Sequence, residues 1–300
     1  MRRLRQGDTV ALIAPSGPPD PLLLARGRHV LGGLGLNVVV AARALSRRRY
    51  LAGPDFARAA DLQEAWCDPA VQAIVCVRGG YGATRLLDLL DWDAMAAAEP
   101  KPLVGSSDVT ALHQALSIRL GVPSMFGPMA ACQALGGPDG PEPHTFAHFR
   151  GSLFEGAAAR PIPGTAVLVP GQASGPVIGG NLSLLAALCG TPYALRAEGR
   201  IVLLEDVTEA PYRIDRMVTQ LLQAGCLQGA AGIALGSWVD CGDPLPILAE
   251  LLTPLEIPVI AGLPLGHGSP QFSVWLGADG AIDTESCSLA GTLRDRETAS

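Results

Sequence analysis

The sequence predicts an α/β protein with two domains. In the first half, short apolar runs alternate with segments of helical periodicity. Those runs are almost continuously apolar, which is typical of parallel strands covered on both faces by helices. The second half is richer in strand candidates. We therefore expect an N-terminal domain on a parallel, flavodoxin- or Rossmann-like sheet, and a smaller C-terminal α/β domain with a mixed sheet.

The apolar patterns place the individual elements. The predicted strands are residues 9–14, 37–41, 73–77, 102–104, 166–169, 201–204, 232–235, 258–261 and 272–276. The predicted helices are residues 21–34, 55–66, 83–90, 108–120, 182–188, 212–224 and 245–252. Two stretches rich in Gly and Pro, 136–141 and 161–164, interrupt the pattern and leave room for a short helix between them. The predicted division is a first domain over 1–135, a linker over 136–165 and a second domain over 166–300.

Composition narrows the possible functions. Of 300 residues, 48% are hydrophobic and 17% charged, which favours a packed core over disorder. The net charge of −6 and the lack of a basic run argue against nucleic acid as a partner. No apolar run is long enough for a membrane span or a secretion signal, so a cytoplasmic protein is expected. Seven scattered cysteines without a paired motif predict neither a disulfide framework nor a metal site.

A serine pair follows the fourth predicted strand. The segment Gly105-Ser106-Ser107-Asp108 leads directly into a helix. A serine at a strand-to-helix turn is lifted out of the sheet, and the next backbone N–H lies at the helix N-terminus. Ser107 is therefore a candidate nucleophile, although Val109 stands where a GxSxG elbow has its second glycine. The simpler interpretation is that Ser107 or Asp108 caps the helix.

A glycine-rich loop follows the third predicted strand. Its sequence is Arg78-Gly79-Gly80-Tyr81-Gly82. Glycines let the backbone approach a ligand closely, and the carboxyl ends of strands are where open α/β sheets bind ligands. The alternative is a tight turn. The loop has neither a GxGxxG fingerprint nor a P-loop lysine.

An acid pair and a histidine end two later strands. Glu205 and Asp206 follow the apolar strand at 201–204, and His267 lies in a glycine-flanked loop after the strand at 258–261. A carboxylate at a strand end can orient a histidine, and a histidine on such a loop can act as a general base. Each feature alone fits an ordinary turn or loop. The charges of 209–216, Arg213 included, fit solvated or paired groups on a helix.

Together these segments resemble the LD-carboxypeptidase family of serine peptidases, S66, over nearly the whole chain. The segments that carry the resemblance are Ile13-Ala14-Pro15-Ser16-Gly17, Arg78-Gly79-Gly80-Tyr81-Gly82, Gly105-Ser106-Ser107-Asp108, Gly179-Gly180-Asn181-Leu182, Leu204-Glu205-Asp206, Pro211-Tyr212-Arg213-Ile214-Asp215-Arg216 and Gly262-Leu263-Pro264-Leu265-Gly266-His267. Ser106 departs from the pattern, because a bulkier residue usually precedes the nucleophile. Asp108 aligns the segment with the family's nucleophile motif, and this alignment makes Ser107, not Ser106, the nucleophile.

The resemblance implies a Ser107–His267–Glu205 triad, with the two backbone N–H groups of Asp108 and Gly80 as the oxyanion hole. Ser107 would lie in the first domain and the other two members in the second, so the site would form between domains. The implied reaction removes the terminal D-alanine of a murein tetrapeptide by cutting an L,D amide bond, with no cofactor and no metal. Arg78 and Arg213 are candidate partners for the substrate carboxylate.

Two other functions remain open. A microcin-immunity-like hydrolase would use the same triad on an amide between an aminoacyl group and a nucleotide-like moiety. A non-enzymatic ligand-binding protein on the same scaffold would leave Ser107 as a helix cap. The resemblance also implies a homodimer.

Overall fold

The structure is a computed structural model that describes residues 3–155 and 161–293. Within these residues the strands are β1 (Thr9–Ile13), β2 (Asn37–Val40), β3 (Ala73–Cys76), β4 (Leu103–Gly105), β5 (Ser124–Phe126), β6 (Ile162–Pro163), β7 (Ala166–Val169), β8 (Gln172–Asn181), β9 (Ile201–Val207), β10 (Gly232–Val239), β11 (Val259–Ala261), β12 (Val274–Leu276), β13 (Asp279–Asp283) and β14 (Ser288–Thr292). The helices are α1 (Pro21–Gly33), α2 (Asp55–Cys67), α3 (Trp92–Ala97), α4 (Thr110–Leu120), α5 (Gln133–Gly136), α6 (Pro143–Phe154), α7 (Leu182–Ala187), α8 (Pro211–Gln223) and α9 (Leu245–Leu252). Short 3₁₀ turns occupy Ala83–Leu86, Ser107–Val109 and Thr253–Leu255.

The first sheet has the order β12-β5-β4-β3-β1-β2. Strands β1 to β5 run parallel, and β12 pairs antiparallel with β5 at the edge. Successive residues of β1 face opposite layers. Leu12 packs with buried residues of α1 and α6, and Ile13 packs with those of α2 and α4. Helices therefore cover both faces, which confirms the predicted parallel-sheet architecture.

The second sheet is mixed, with the order β6-β14-β13-β8-β9-β10-β11-β7. Strands β8 to β11 run parallel, and the strands on either side of them run antiparallel. Val202 and Leu204 of β9 pack with α7, α8 and α9 on one face. On the other face, Ile201 and Leu203 pack with Phe126 of β5 and with β12. The second sheet thus lies directly against the edge of the first.

The chain crosses between the two sheets more than once. Strand β12 comes from the second half of the sequence, yet Trp275 pairs with Met125 in the first sheet. The predicted linker contains α6, whose Phe149 and Leu153 are buried against the first sheet, and β6, which pairs with β14 of the second. Residues 156–160 and 294–300, parts of the predicted linker and second domain, lie outside the described residues. The domain limits at 135 and 166 stay a prediction.

The sequence patterns missed five strands, β5, β6, β8, β13 and β14, and glycines explain the longest of them. Strand β8 contains Gly175, Gly179 and Gly180, which resemble turn signals in the sequence. A Cβ at Gly179 would lie 2.2 Å from the Leu203 carbonyl oxygen, and one at Gly180 would lie 2.7 Å from Thr110 Oγ1. The glycines therefore permit close approach of β8 to its neighbours. Conversely, the helix predicted at 83–90 is only a 3₁₀ turn over Ala83–Leu86.

The described residues contain neither a candidate membrane span nor a candidate metal cluster. No helix in 3–155 or 161–293 combines the length and the apolar character that crossing a bilayer requires. Across the same two ranges, no three His, Cys, Asp or Glu residues are grouped so that they could hold a metal ion.

A buried histidine joins α4 to the strands beneath it. His113 is 1% exposed, and its Nε2 lies 3.0 Å from the Gly105 carbonyl oxygen, so this nitrogen carries the proton. Nδ1 then accepts from the Ser124 hydroxyl at 2.8 Å. Burial lowers the pKa of His113 to about 4, because the charged imidazolium is poorly solvated there. His113 is therefore a neutral structural residue.

His113 should make the protein sensitive to acid. The imidazole of His113 takes up a proton near pH 6.5 in the unfolded chain, but only near pH 4 in the folded protein. The contribution of His113 to the free energy of unfolding is therefore complete above pH 6.5 and falls as the pH drops towards 4. We expect wild type to lose up to about 3 kcal/mol more unfolding free energy than His113→Gln across that window. Urea denaturation at a series of pH values measures this, and equal losses in both proteins would contradict it.

Candidate active site

The turn after β4 holds Ser107 in a strained conformation. Ser106 is extended, with φ −148°, and Ser107 is left-handed, with φ +60°. A non-glycine residue at positive φ persists only where surrounding contacts enforce it, and such residues cluster at functional sites. The Ser106 side chain is buried and Ser107 is half-buried. The sharp turn therefore presents the Ser107 side chain beyond the end of the sheet.

Neither Ser107 nor Asp108 acts as a helix cap. No side-chain capping bond occurs at the start of this 3₁₀ turn or at the start of α4. The Asp108 carboxylate instead accepts from the Ala83 N–H at 2.8 Å, and burial raises its pKa. The Asp108 N–H lies in the first turn of the helical segment, where backbone N–H groups have no acceptor inside the helix.

The glycine-rich loop lies directly against Ser107. A Cβ at Gly79 would sit 2.9 Å from Ser107 Cβ and 3.1 Å from its Oγ, so only glycine allows this approach. The Gly79 carbonyl accepts from the Gly17 N–H at 3.0 Å. In a trans peptide the carbonyl and the N–H point in opposite directions. The Gly80 N–H therefore points away from Gly17.

A buried cation fastens the loops around this turn, and sequence patterns did not single it out. Arg58 is 1% exposed; its guanidinium donates to the carbonyls of Pro15 and Gly82, the latter at 2.9 Å, and pairs with Asp55. Its positive charge also favours the ionised form of Asp108. In the sequence, Arg58 is one arginine within an amphipathic helix, so nothing local marks it.

The acid pair separates into two roles at the end of β9. Glu205 is fully buried, and its Oε2 lies 2.8 Å from His267 Nδ1 and 3.2 Å from the His267 N–H. Asp206 accepts from Asn181 Nδ2 at 2.9 Å and from the Ser183 hydroxyl at 2.7 Å. The histidine is thus held by Glu205, while Asp206 holds the start of α7.

Glu205 sets the proton arrangement of His267. Nδ1 donates to the carboxylate, which leaves Nε2 as an acceptor in the neutral ring. Burial alone would lower the pKa of His267, but the hydrogen bond and charge of Glu205, together with the charge of Asp206, outweigh it and raise the pKa. Burial raises the pKa of Glu205 as well. Gly266 is required here, since a Cβ would lie 2.2 Å from Glu205 Oε2.

Hydrogen bonds from the second half flank the serine turn on both sides. The Asn181 N–H donates to Thr110 Oγ1 at 3.0 Å, three residues after Ser107. Gln271 Nε2 lies 3.3 Å from Ser106 Oγ, one residue before it. Ser107 itself makes no hydrogen bond to His267 within the described residues. In enzymes without bound substrate such contacts are often long and tighten in the complex.

The two candidate arginines differ in the groups that their guanidiniums already contact. The Arg213 guanidinium is paired with Glu209 in the helix α8 region, and its side chain is 54% exposed. Arg78 donates to the Pro18 carbonyl at 3.0 Å and has no carboxylate partner in the part of the chain that the structure describes. Its guanidinium carbon lies 3.7 Å from the Cβ position at Gly17. Only Arg78 combines a place beside the glycine-rich loop with an unneutralised charge.

The pairing with Glu205 should be visible as a shifted titration of His267. In Glu205→Gln the carboxylate charge is gone and burial dominates, so the pKa of His267 should fall below that in wild type. NMR of histidine-labelled protein over a range of pH measures the pKa of His267. His148, whose Nδ1 accepts from the Ser273 N–H, is the internal control. An unchanged His267 titration would contradict the assigned pairing.

Family models and relatives match the chain over most of its length. A model described as the LD-carboxypeptidase N-terminal domain matches residues 10–127, and one described as the C-terminal domain matches residues 174–282. The chain is 47% identical over 297 residues to a Streptomyces coelicolor protein whose name describes a carboxypeptidase, covering 96% of this chain and 94% of that protein. It is 36% identical over 281 residues to the murein tetrapeptide carboxypeptidase of Pseudomonas aeruginosa, covering 89% and 90%.

Solved structures agree in fold. The muramoyltetrapeptide carboxypeptidase from Oxalobacter formigenes has a TM-score of 0.85 and 30% identity, covering 96% of this chain and 99% of that one. MccF in complex with glutamyl sulfamoyl guanosine has a TM-score of 0.87 and 25% identity, covering 97% and 98%. Taken with the glycine-rich loop, the strained serine turn and the buried acid–histidine pair, these matches show that the chain belongs to the LD-carboxypeptidase family, peptidase family S66.

Proposed function

We propose that this protein is a serine carboxypeptidase that releases the terminal D-alanine of a murein tetrapeptide by hydrolysing an L,D amide bond. The observation that carries the proposal is the buried 2.8 Å bond between Glu205 and His267, formed at the edge where the strained Ser107 turn meets the second sheet. Relatives named as murein tetrapeptide and muramoyltetrapeptide carboxypeptidases support the substrate.

In the proposed mechanism Ser107 Oγ attacks the scissile carbonyl carbon while His267 Nε2 takes the hydroxyl proton. The C–N bond of the tetrahedral intermediate then breaks, and His267 returns the proton to the departing amine of D-alanine. Water attacks the resulting acyl-enzyme by the same route and restores Ser107. Glu205 keeps Nδ1 protonated and stabilises the imidazolium in both steps.

The oxyanion would be bound by the Asp108 and Gly80 N–H groups. The first lies at a helical N-terminus, and the orientation of the Gly79–Gly80 peptide turns the second away from Gly17. Because Gly79 lies against the Ser107 side chain, both donors belong to the immediate surroundings of the nucleophile. Fixed backbone donors need no reorganisation as negative charge develops.

Arg78 is the better-supported partner for the free carboxylate of the terminal residue. Its guanidinium lies near the glycine-rich loop and lacks a carboxylate partner among the described residues. Arg213 is already neutralised by Glu209, so engaging a substrate would first require breaking that ion pair.

The same triad supports a second candidate function. The similarity to MccF, whose structure contains glutamyl sulfamoyl guanosine, favours an amide hydrolase acting on an aminoacyl group joined to a nucleotide-like moiety. A non-enzymatic binding protein is less well supported, since Ser107 makes no capping bond and His267 is held by a buried carboxylate. A cytoplasmic homodimer remains a prediction from the sequence and the family resemblance.

Replacing the proposed nucleophile should abolish turnover. We expect Ser107→Ala to lower kcat for D-alanine release by roughly a thousandfold or more. The assay compares murein tetrapeptide with an aminoacyl sulfamoyl adenylate, so it also identifies the preferred substrate class. Ser288→Ala, at a buried serine whose hydroxyl lies 2.8 Å from that of Ser286, is a matched control expected to keep activity. Full activity in Ser107→Ala would exclude Ser107 as the nucleophile.

Replacing Arg78 and replacing Arg213 should have different effects on substrate binding. We expect Arg78→Gln to raise KM roughly ten- to a hundredfold, the range for a lost hydrogen bond to a charged group. Arg213→Gln should change KM little. With a C-terminally amidated peptide as ligand, both variants should bind like wild type, since the carboxylate is absent. A larger effect at Arg213 would reverse the assignment.

A further inference from the structure

We propose that Ser106 and Gln271 form a positioning pair that fixes the His267 loop against the Ser107 turn. The inference rests on the proposed function, because it assigns the pair a role in bringing nucleophile and base together. Neither residue is a catalytic residue, since each acts through its neighbour in the chain or loop.

The pair is buried where the two halves of the molecule meet. Ser106 is 3% exposed and Gln271 is 7% exposed, and 3.3 Å separates Ser106 Oγ from Gln271 Nε2. A hydroxyl both donates and accepts, so the bond persists whichever way the Gln271 amide is oriented. The contact joins residues 165 positions apart in the sequence.

The loop from His267 to Gln271 is anchored on a different half at each end. At its start, His267 is bonded to Glu205, and the Gly268 N–H donates to Ser237 Oγ at 3.0 Å. These anchors belong to the second sheet, through β9 and β10.

At its other end the loop is attached to the first half. The Gln271 N–H donates to Thr145 Oγ1 of α6 at 2.8 Å, and its side chain reaches Ser106. Strand β12 follows directly and pairs with β5. Gln271 is therefore the point at which the loop passes from one sheet to the other.

The position of Ser106, directly before Ser107, lets its bond to Gln271 fix the loop relative to the serine turn. Ser106 is extended and buried, whereas Ser107 lies in the left-handed turn and is half-buried, so the two side chains have different surroundings. The Ser106 hydroxyl thus contacts the loop one residue before the proposed nucleophile. Together with the Thr110–Asn181 bond, it fixes the second half on both flanks of Ser107.

Loss of the pair should impair chemistry more than binding. A small displacement between nucleophile and base can cost up to about a hundredfold in rate. The proposed carboxylate partner Arg78 is on the glycine-rich loop, and its guanidinium donates to the Pro18 carbonyl rather than to Ser106 or Gln271. A kcat effect without a KM effect is therefore expected for positioning, and unchanged hydrogen exchange in β1 and β3 excludes a general loss of structure.

The test is a double-mutant cycle on the full chain with murein tetrapeptide. We expect Ser106→Ala and Gln271→Ala each to lower kcat roughly ten- to a hundredfold with KM within about twofold. The double variant should be no slower than the slower single variant, because both remove the same bond. Ser106→Thr, which keeps the hydroxyl, should recover most of kcat, and Ser288→Ala serves as the matched control.

Hydrogen exchange provides a readout that does not depend on activity. Amides of residues 267–273 should exchange faster in Ser106→Ala than in wild type, with unchanged exchange in β1 and β3. Wild-type kcat in both single variants, multiplicative losses in the double variant, or unchanged exchange would each overturn the inference. Failure of wild type to cleave either substrate would instead overturn the proposed function, and the exchange result would still decide the pair.

Discussion

The arrangement of this molecule depends on one fully buried carboxylate. An ionised group without solvent is costly unless every oxygen has a partner, and Glu205 has partners from several elements. His267 supplies its ring and its backbone N–H, and Asn181 supplies its side-chain amide at 3.3 Å. Gly266 leaves the space that the carboxylate occupies, and Gly236 leaves room for the Leu265 carbonyl beside the Glu205 Cβ. The loop bearing the histidine and the end of β8 are therefore fixed by the same charge.

From Glu205 the hydrogen bonds continue through Asn181 into the first half of the protein. Asn181, which contacts Glu205 through its side chain, also donates its N–H to Thr110 in the turn of α4 that follows Ser107. Phe126 and β12 fill the apolar contact beneath these bonds, where the second sheet packs on the first. A site divided between two sheets thus has both a polar and an apolar connection across the division. The proposed site is sensitive to how the halves are placed, since Ser107 follows a strand of the first sheet and Glu205 belongs to the second.

The loops around the serine depend on a second buried charge. Arg58 satisfies the carbonyls of two loops at once and is itself neutralised by Asp55. A buried guanidinium that donates to two carbonyls holds loops more firmly than an apolar side chain could, because each bond is directional. The loops after β1 and β3 are thereby joined at the carboxyl edge of the parallel strands, the usual place for ligands in open parallel sheets.

The sequence by itself determined the strand–helix alternation, the parallel first sheet, the mixed second sheet and the family, because apolar periodicity and short motifs act over local stretches of chain. It also marked Ser107, Glu205 and His267 as candidates through their positions at strand ends. Only the tertiary structure decided which sheet β12 joins, which arginine is already neutralised, and what lies beside Ser106. Those features depend on contacts between residues far apart in the chain, and no local pattern specifies the path that brings such residues together.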